Sequence, residues 1–174
     1  MKLAVVLCTV VGFGAPALAF EIEEIGTIEA TFDGESISQP TVMVRDGDVE
    51  QATAFLFLAG AGISAFSVSG YSADNKRLSV EVNFLAEDIG PATAPFGLTI
   101  SYAPEGTALH WTSEEAPTPP SVTFSTLEIV GNEGRATGTF AALLCYAEGY
   151  ESGGDPENCR PIEGRFDTPF FVEQ

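Results

Sequence analysis

The stretch Ile28-Glu29-Ala30-Thr31-Phe32-Asp33-Gly34 decides the fold class. Apolar and polar residues alternate along it one by one. That period of 2 belongs to a β-strand with one buried face and one wet face. The stretch stops on Asp-Gly, a pair suited to the positive φ angles at the tip of a tight hairpin.

The same pattern recurs outward in both directions. Val80, Val82 and Phe84 alternate with Ser79, Glu81 and Asn83, and Leu98, Ile100 and Tyr102 with Thr99 and Ser101. Phe140, Ala142 and Leu144 share one parity, and Ile162 and Phe166 stand opposite Glu163, Arg165 and Asp167. Asp46-Gly47 reads as a second hairpin tip, Gly60-Ala61-Gly62 splits the apolar run 52–68 into two strands, and Asp74-Asn75 and Gly131-Asn132-Glu133-Gly134 mark further turns. Pro117, Pro119 and Pro120 form a stiff connector in which a helix is disfavoured. No long window carries a 3.6-residue period with a cap at each end. The spacing predicts an all-β domain: an antiparallel β-sandwich of jelly-roll or immunoglobulin-like type with about ten short strands, a closed β-barrel being the alternative.

One register detail follows from parity. Val122 and Phe124 are even, whereas Leu127 and Ile129 are odd. A single strand brings both pairs to one face only by inserting an extra residue, so a β-bulge is predicted near Ser125-Thr126.

Residues 1–19 read as a cleavable signal peptide: Met1-Lys2, an apolar run from Leu3 to Phe13, a break at Gly14 and Pro16, and Ala17-Leu18-Ala19 before Phe20. The apolar run is too short for a membrane anchor, which needs about 20 residues, and Cys8 has too few residues before it for a lipid attachment site. Residues 20–174 then form a single domain, exported to the bacterial periplasm or the medium, with no transmembrane segment.

Of three cysteines, Cys8 lies in this leader, which leaves Cys145 and Cys159. An even pair in an oxidising compartment predicts a disulfide clipping the polar, glycine-rich loop 148–160. A zinc site is the weaker reading, because no histidine accompanies the two thiols.

The chain carries 25 acidic and 7 basic residues, a formal net charge of −18. Such a surface repels nucleic acid and anionic membranes, both of which require basic patches. It fits a solvated surface in a salty habitat or, more sharply, the binding of a cation or a basic partner. The local calcium candidate is Asp46-Gly47-Asp48-Val49-Glu50, with Asp46, Asp48 and Glu50 spaced for convergence in one loop. Asp155 and Glu157 in the clipped loop are a second, weaker candidate.

Catalytic patterns are missing. The one histidine, His110, stands next to Leu109 and Trp111 and by parity faces away from them toward water. No nucleophile elbow, phosphate-cradling glycine loop, CxxC or HExxH occurs. Among the amphipathic rings, Trp111, Tyr71, Tyr102, Tyr146 and Tyr150, only Tyr150 sits in a context that favours exposure for sugar stacking.

The run Ala54-Phe55-Leu56-Phe57-Leu58 is apolar on both parities. It is either covered on both sides or offers one face to a partner, for example a second copy. Two functions remain in view: a non-enzymatic binding or structural module for a partner, a cation or a glycan, and a small exported hydrolase built on a carboxylate pair.

Overall fold

Alternation along the chain becomes eleven strands in the computed structural model, which describes residues 20–47, 49–86, 88–106, 110–149 and 153–173. They are β1 (Glu21–Phe32), β2 (Glu35–Asp46), β3 (Val49–Ala52), β4 (Ala54–Gly60), β5 (Ile63–Ser69), β6 (Arg77–Phe84), β7 (Gly97–Ala103), β8 (His110–Thr112), β9 (Ser121–Val130), β10 (Glu133–Ala147) and β11 (Asp155–Glu173). No helix occurs among the described residues. The signal-peptide reading of residues 1–19, with Cys8, falls outside them, as do Asp48, Leu109 and Tyr150.

The strands form two layers. One runs β3-β2-β1-β11-β10-β9 and the other β4-β5-β6-β7-β8. Their inner faces meet through aromatic rings. Phe66 of β5 packs against Phe124 of β9 and against Phe166 and Phe170 of β11, at centroid distances of 5.5, 6.0 and 5.4 Å. Phe32 of β1 packs against Tyr102 of β7 and Trp111 of β8. The alternating residues of the opening stretch point as their period requires: Ile28 and Ala30 are buried and Phe32 packs against the core.

Two long strands hold the layers together. At its end β11 leaves β1 and pairs in parallel with β4, Phe171 opposite Phe55 and Glu173 opposite Phe57. At its own end β10 reaches β8, Cys145 opposite Thr112 and Ala147 opposite His110. The sandwich is therefore joined by hydrogen bonds at two corners. This corrects two parts of the sequence reading. The sheet is mixed, because β4 and β11 meet in parallel. Nor are all strands short, since β10 has 15 residues and β11 has 19.

The turns follow their chemistry. Asp33 and Gly34 both have positive φ, 49° and 86°, as a tight hairpin demands. The hairpin after β2 differs from the expected one: Asp46 pairs with Val49 and so belongs to the strand rather than to the tip. Gly60 pairs with Ile63 and separates β4 from β5 where the glycines predicted it. The bulge also falls as expected. Thr137 faces Thr126 and Gly138 faces Phe124, which leaves Ser125 without an opposite residue. Phe124 and Leu127, of opposite parity, are thereby both buried.

Three glycines on β10 and β11 make room for rings. Gly134 lies opposite Phe170, Gly138 opposite Phe166, and Gly164 opposite Phe140. In each pair a Cβ on the glycine would collide with the partner's ring. Strand glycines covered by a cross-strand aromatic ring let large rings sit low over the backbone and fill the core.

Cys145 and Cys159 are bonded to each other and are direct register partners. The clipped segment is shorter than expected, because β11 already begins at Asp155. Tyr146 pairs with Asp155, so the chain between Asp155 and Cys159 bulges out of the ladder. The cysteine pairing, rather than hydrophobic periodicity, carries the ladder through this polar sequence.

Candidate functional site

A large concavity lies on the outer face of the six-stranded layer. It is an open groove of about 700 Å³ that continues into a second of about 500 Å³, the two sharing Thr31, Ser121, Ala141 and Glu163. Two register rows build its floor. The first runs Ser38, Glu29, Arg165, Thr139, Thr123 across β2, β1, β11, β10 and β9. The second runs Ser36, Thr31, Glu163, Ala141, Ser121 across the same strands. With strands about 4.8 Å apart, each row spans roughly 19 Å. Nine of these ten positions are polar, Ala141 being the exception.

Charge is concentrated at the centre. Arg165 donates from Nε to Glu29 Oε2 at 2.8 Å, and its Nη2 lies 2.6 Å from the same oxygen. One guanidinium thus occupies one carboxylate, and Glu163 enters no ion pair among the described residues. The floor offers hydroxyls as donors and acceptors and an excess of carboxylate.

A smaller recess of about 330 Å³ adjoins it, where β3 does not reach along β2. Glu35, Ser36, Asp74, Lys76 and Tyr102 line it. Lys76 Nζ lies 2.8 Å from Asp74 Oδ2. The hydrogen bond from Lys76, assisted by one from Ser72, holds the Asp74 carboxyl down at about 2, and Asp74 in turn raises Lys76. Burial raises the Tyr102 phenol. Gln39 anchors the recess from behind: its Oε1 accepts from Leu78 N at 3.0 Å and its Nε2 donates to the Lys76 carbonyl at 3.2 Å.

The residues singled out in the sequence are placed elsewhere. Glu50 is engaged by Arg45, whose Nε lies 2.8 Å from its Oε1 while Nη1 lies 2.6 Å from Glu23 Oε2. Arg45 thus bridges Glu50 and Glu23. Asp46 ends β2, and Asp48 is outside the described residues. Asp155 bonds locally, accepting from Glu157 N at 3.0 Å. Among the described residues, no cluster of three or more His, Cys, Asp or Glu is arranged to hold a metal.

His110 corrects the sequence reading. It is 6 % exposed. Parity does place it opposite Trp111, but that face is covered here: Thr112, Cys145 and Ala147 on it are buried too. Gly154 of the clipped segment packs against Cys145, where a Cβ would lie 2.7 Å from that residue's Cβ. Burial lowers the His110 imidazole below its usual range; Glu114 opposes the shift and Arg77 adds to it. Trp111 is no stacking platform either. Phe32, Tyr146 and the Arg160 guanidinium surround its ring at 5.3, 5.5 and 5.8 Å.

No protein-family model matches the chain, and neither any curated protein nor any solved structure matches it significantly. No helix among the described residues is long and apolar enough to cross a membrane.

The groove residues escaped the sequence reading because none is rare or motif-bound. Their one signal is that the outward parities of four separate strands, β1, β2, β9 and β10, carry serine and threonine. Only strand order turns that signal into two adjoining rows.

Proposed function

We propose that this chain is an exported, non-enzymatic binding module whose ligand is a neutral polyhydroxylated polymer, a glycan, laid across the outer groove. The carrying observation is the pair of register rows, in which hydroxyls from β1, β2, β9 and β10 surround the Arg165–Glu29 pair. Sugar hydroxyls both donate and accept, and so do serine and threonine side chains. A carboxylate and a guanidinium add stronger, charge-assisted bonds at the centre. Regular strand spacing suits a ligand with a repeat of its own. An open groove on a rigid sheet suits an extended chain better than a small molecule, which favours deep and largely apolar cavities. The Cys145–Cys159 disulfide supports export to an oxidising compartment.

A glycan array probed with the protein, followed by calorimetry on its best ligand, tests the reading. A neutral glycan should bind, and the double variant Thr123→Val/Thr139→Val should weaken it at least about tenfold with the melting temperature retained. An array blank for neutral glycans refutes the proposal. Ligand cleavage abolished by Glu163→Gln would support the carboxylate hydrolase instead.

A further inference from the structure

The parallel junction of β4 and β11 exposes aromatic rings on its outer side. Phe171 and Phe55 are direct register partners, and Phe57 lies two residues on from Phe55 on the same face. Phe55 and Phe171 are half-buried and Phe57 is 42 % exposed. Inward neighbours Ala54 and Leu56 fill the core, so the outer rings are not needed there. Nearby outward positions on β5 add Ile63, 37 % exposed, and Ala65. Clustered rings of this kind on an outer sheet face mark a contact surface rather than scattered exposure.

Carboxylates border the rings. Glu133 pairs in register with Phe171, Glu173 with Phe57, and Glu81 with Ser67, which itself faces Phe55. All three are exposed, and none enters an ion pair among the described residues. By contrast, Glu23, Glu29, Glu50, Asp33, Asp74 and Asp167 are each matched to a lysine or arginine. Arg45, Lys76, Arg135, Arg160 and Arg165 are engaged by those other carboxylates.

We infer that the corner docks a basic amphipathic polypeptide segment, with apolar side chains on Phe55, Phe57 and Phe171 and lysines or arginines against Glu81, Glu133 and Glu173. An aromatic centre with a charged rim is the usual anatomy of a protein contact, and the rim sets the sign of the partner. A second copy of this chain would set carboxylate against carboxylate, on top of a net charge of −18 per chain. Anionic lipid is repelled for the same reason.

The test is fluorescence anisotropy with a labelled synthetic peptide of alternating lysine and leucine, alongside its serine–leucine counterpart. The lysine peptide should bind and the serine peptide should bind at least about tenfold more weakly. Phe57→Ser, and separately Glu133→Gln/Glu173→Gln, should each raise the Kd about tenfold without lowering the melting temperature; Phe171→Thr replaces Phe57→Ser should the latter fold poorly. The pair Glu21→Gln/Glu24→Gln, on β1, should leave binding unchanged. Equal weakening by both glutamate pairs would reduce the effect to overall acidity and overturn the site, as would absence of binding. Dimerisation in sedimentation that Phe57→Ser abolishes would assign the corner to a second copy, and phosphatidylcholine vesicle binding that it abolishes would assign it to lipid; either overturns the proposal.

Discussion

The ring of Phe166 occupies the space that a side chain on Gly138, its register partner, would need. A Cβ on Gly138 would lie 2.7 Å from Phe166 Cζ and 2.6 Å from the Thr123 carbonyl oxygen. The second contact is backbone and cannot move aside easily. Phe166 meets Phe66 and Phe124 from this position, so the glycine supports the contact between the layers.

Gly138→Ala should therefore destabilise the fold by about 1–3 kcal/mol through overpacking. At this chain length that corresponds to a melting temperature lower by roughly 3–10 °C. Combining it with Phe166→Leu should cost less than the sum of the two single changes, because the shorter side chain relieves one of the two clashes. Thermal melts of the four proteins check this.

Ser125 is exposed, yet its presence matters more than its identity. Ser125→Ala should change stability by no more than about 0.5 kcal/mol. Deleting Ser125 removes the bulge and turns either Phe124 or Leu127 out of the core. The loss should exceed about 3 kcal/mol, the scale of removing a large core side chain. Urea unfolding of both variants separates the outcomes.

The disulfide closes a separation of 14 residues. Its removal should cost on the order of 3 kcal/mol, or roughly 6–12 °C in melting temperature. Cys145→Ser/Cys159→Ser and reduced wild type should melt together. A reductant that leaves the wild-type melt unshifted would contradict the expectation.

His110 makes stability depend on pH in a defined direction. Burial holds its folded value below that of the unfolded chain. The unfolded state therefore takes up the proton first as pH falls. The contribution is whole above the ordinary imidazole value of about 6.5 and is lost as pH drops from there toward the folded value. His110→Gln should be less sensitive than wild type between about pH 7.5 and about pH 5, read as the change in urea midpoint.

Local alternation in the chain is enough to establish the strands, their inward faces and the bulge. Ile28, Ala30 and Phe32 point inward because side chains on an extended backbone alternate whatever lies beside them. The parity change between Phe124 and Leu127 needs a bulge for the same local reason. Asp33-Gly34 and Gly60-Ala61-Gly62 turn because of their own φ preferences. Cys145 and Cys159 are the two cysteines outside residues 1–19, so counting alone pairs them.

What lies beside a strand is a different matter. Nothing near Phe55 in the sequence foretells Phe171, which reaches it only because β11 crosses a corner of the sandwich and meets β4 in parallel. The water expected around His110 is excluded, on a face where Thr112, Cys145 and Ala147 are buried as well. Ser38, Glu29, Arg165, Thr139 and Thr123 come from five strands, and only sheet order sets them in one row. Periodicity is a property of one backbone segment and is written into the chain. Adjacency between distant segments depends on how the whole core closes, and the tertiary structure alone decides it.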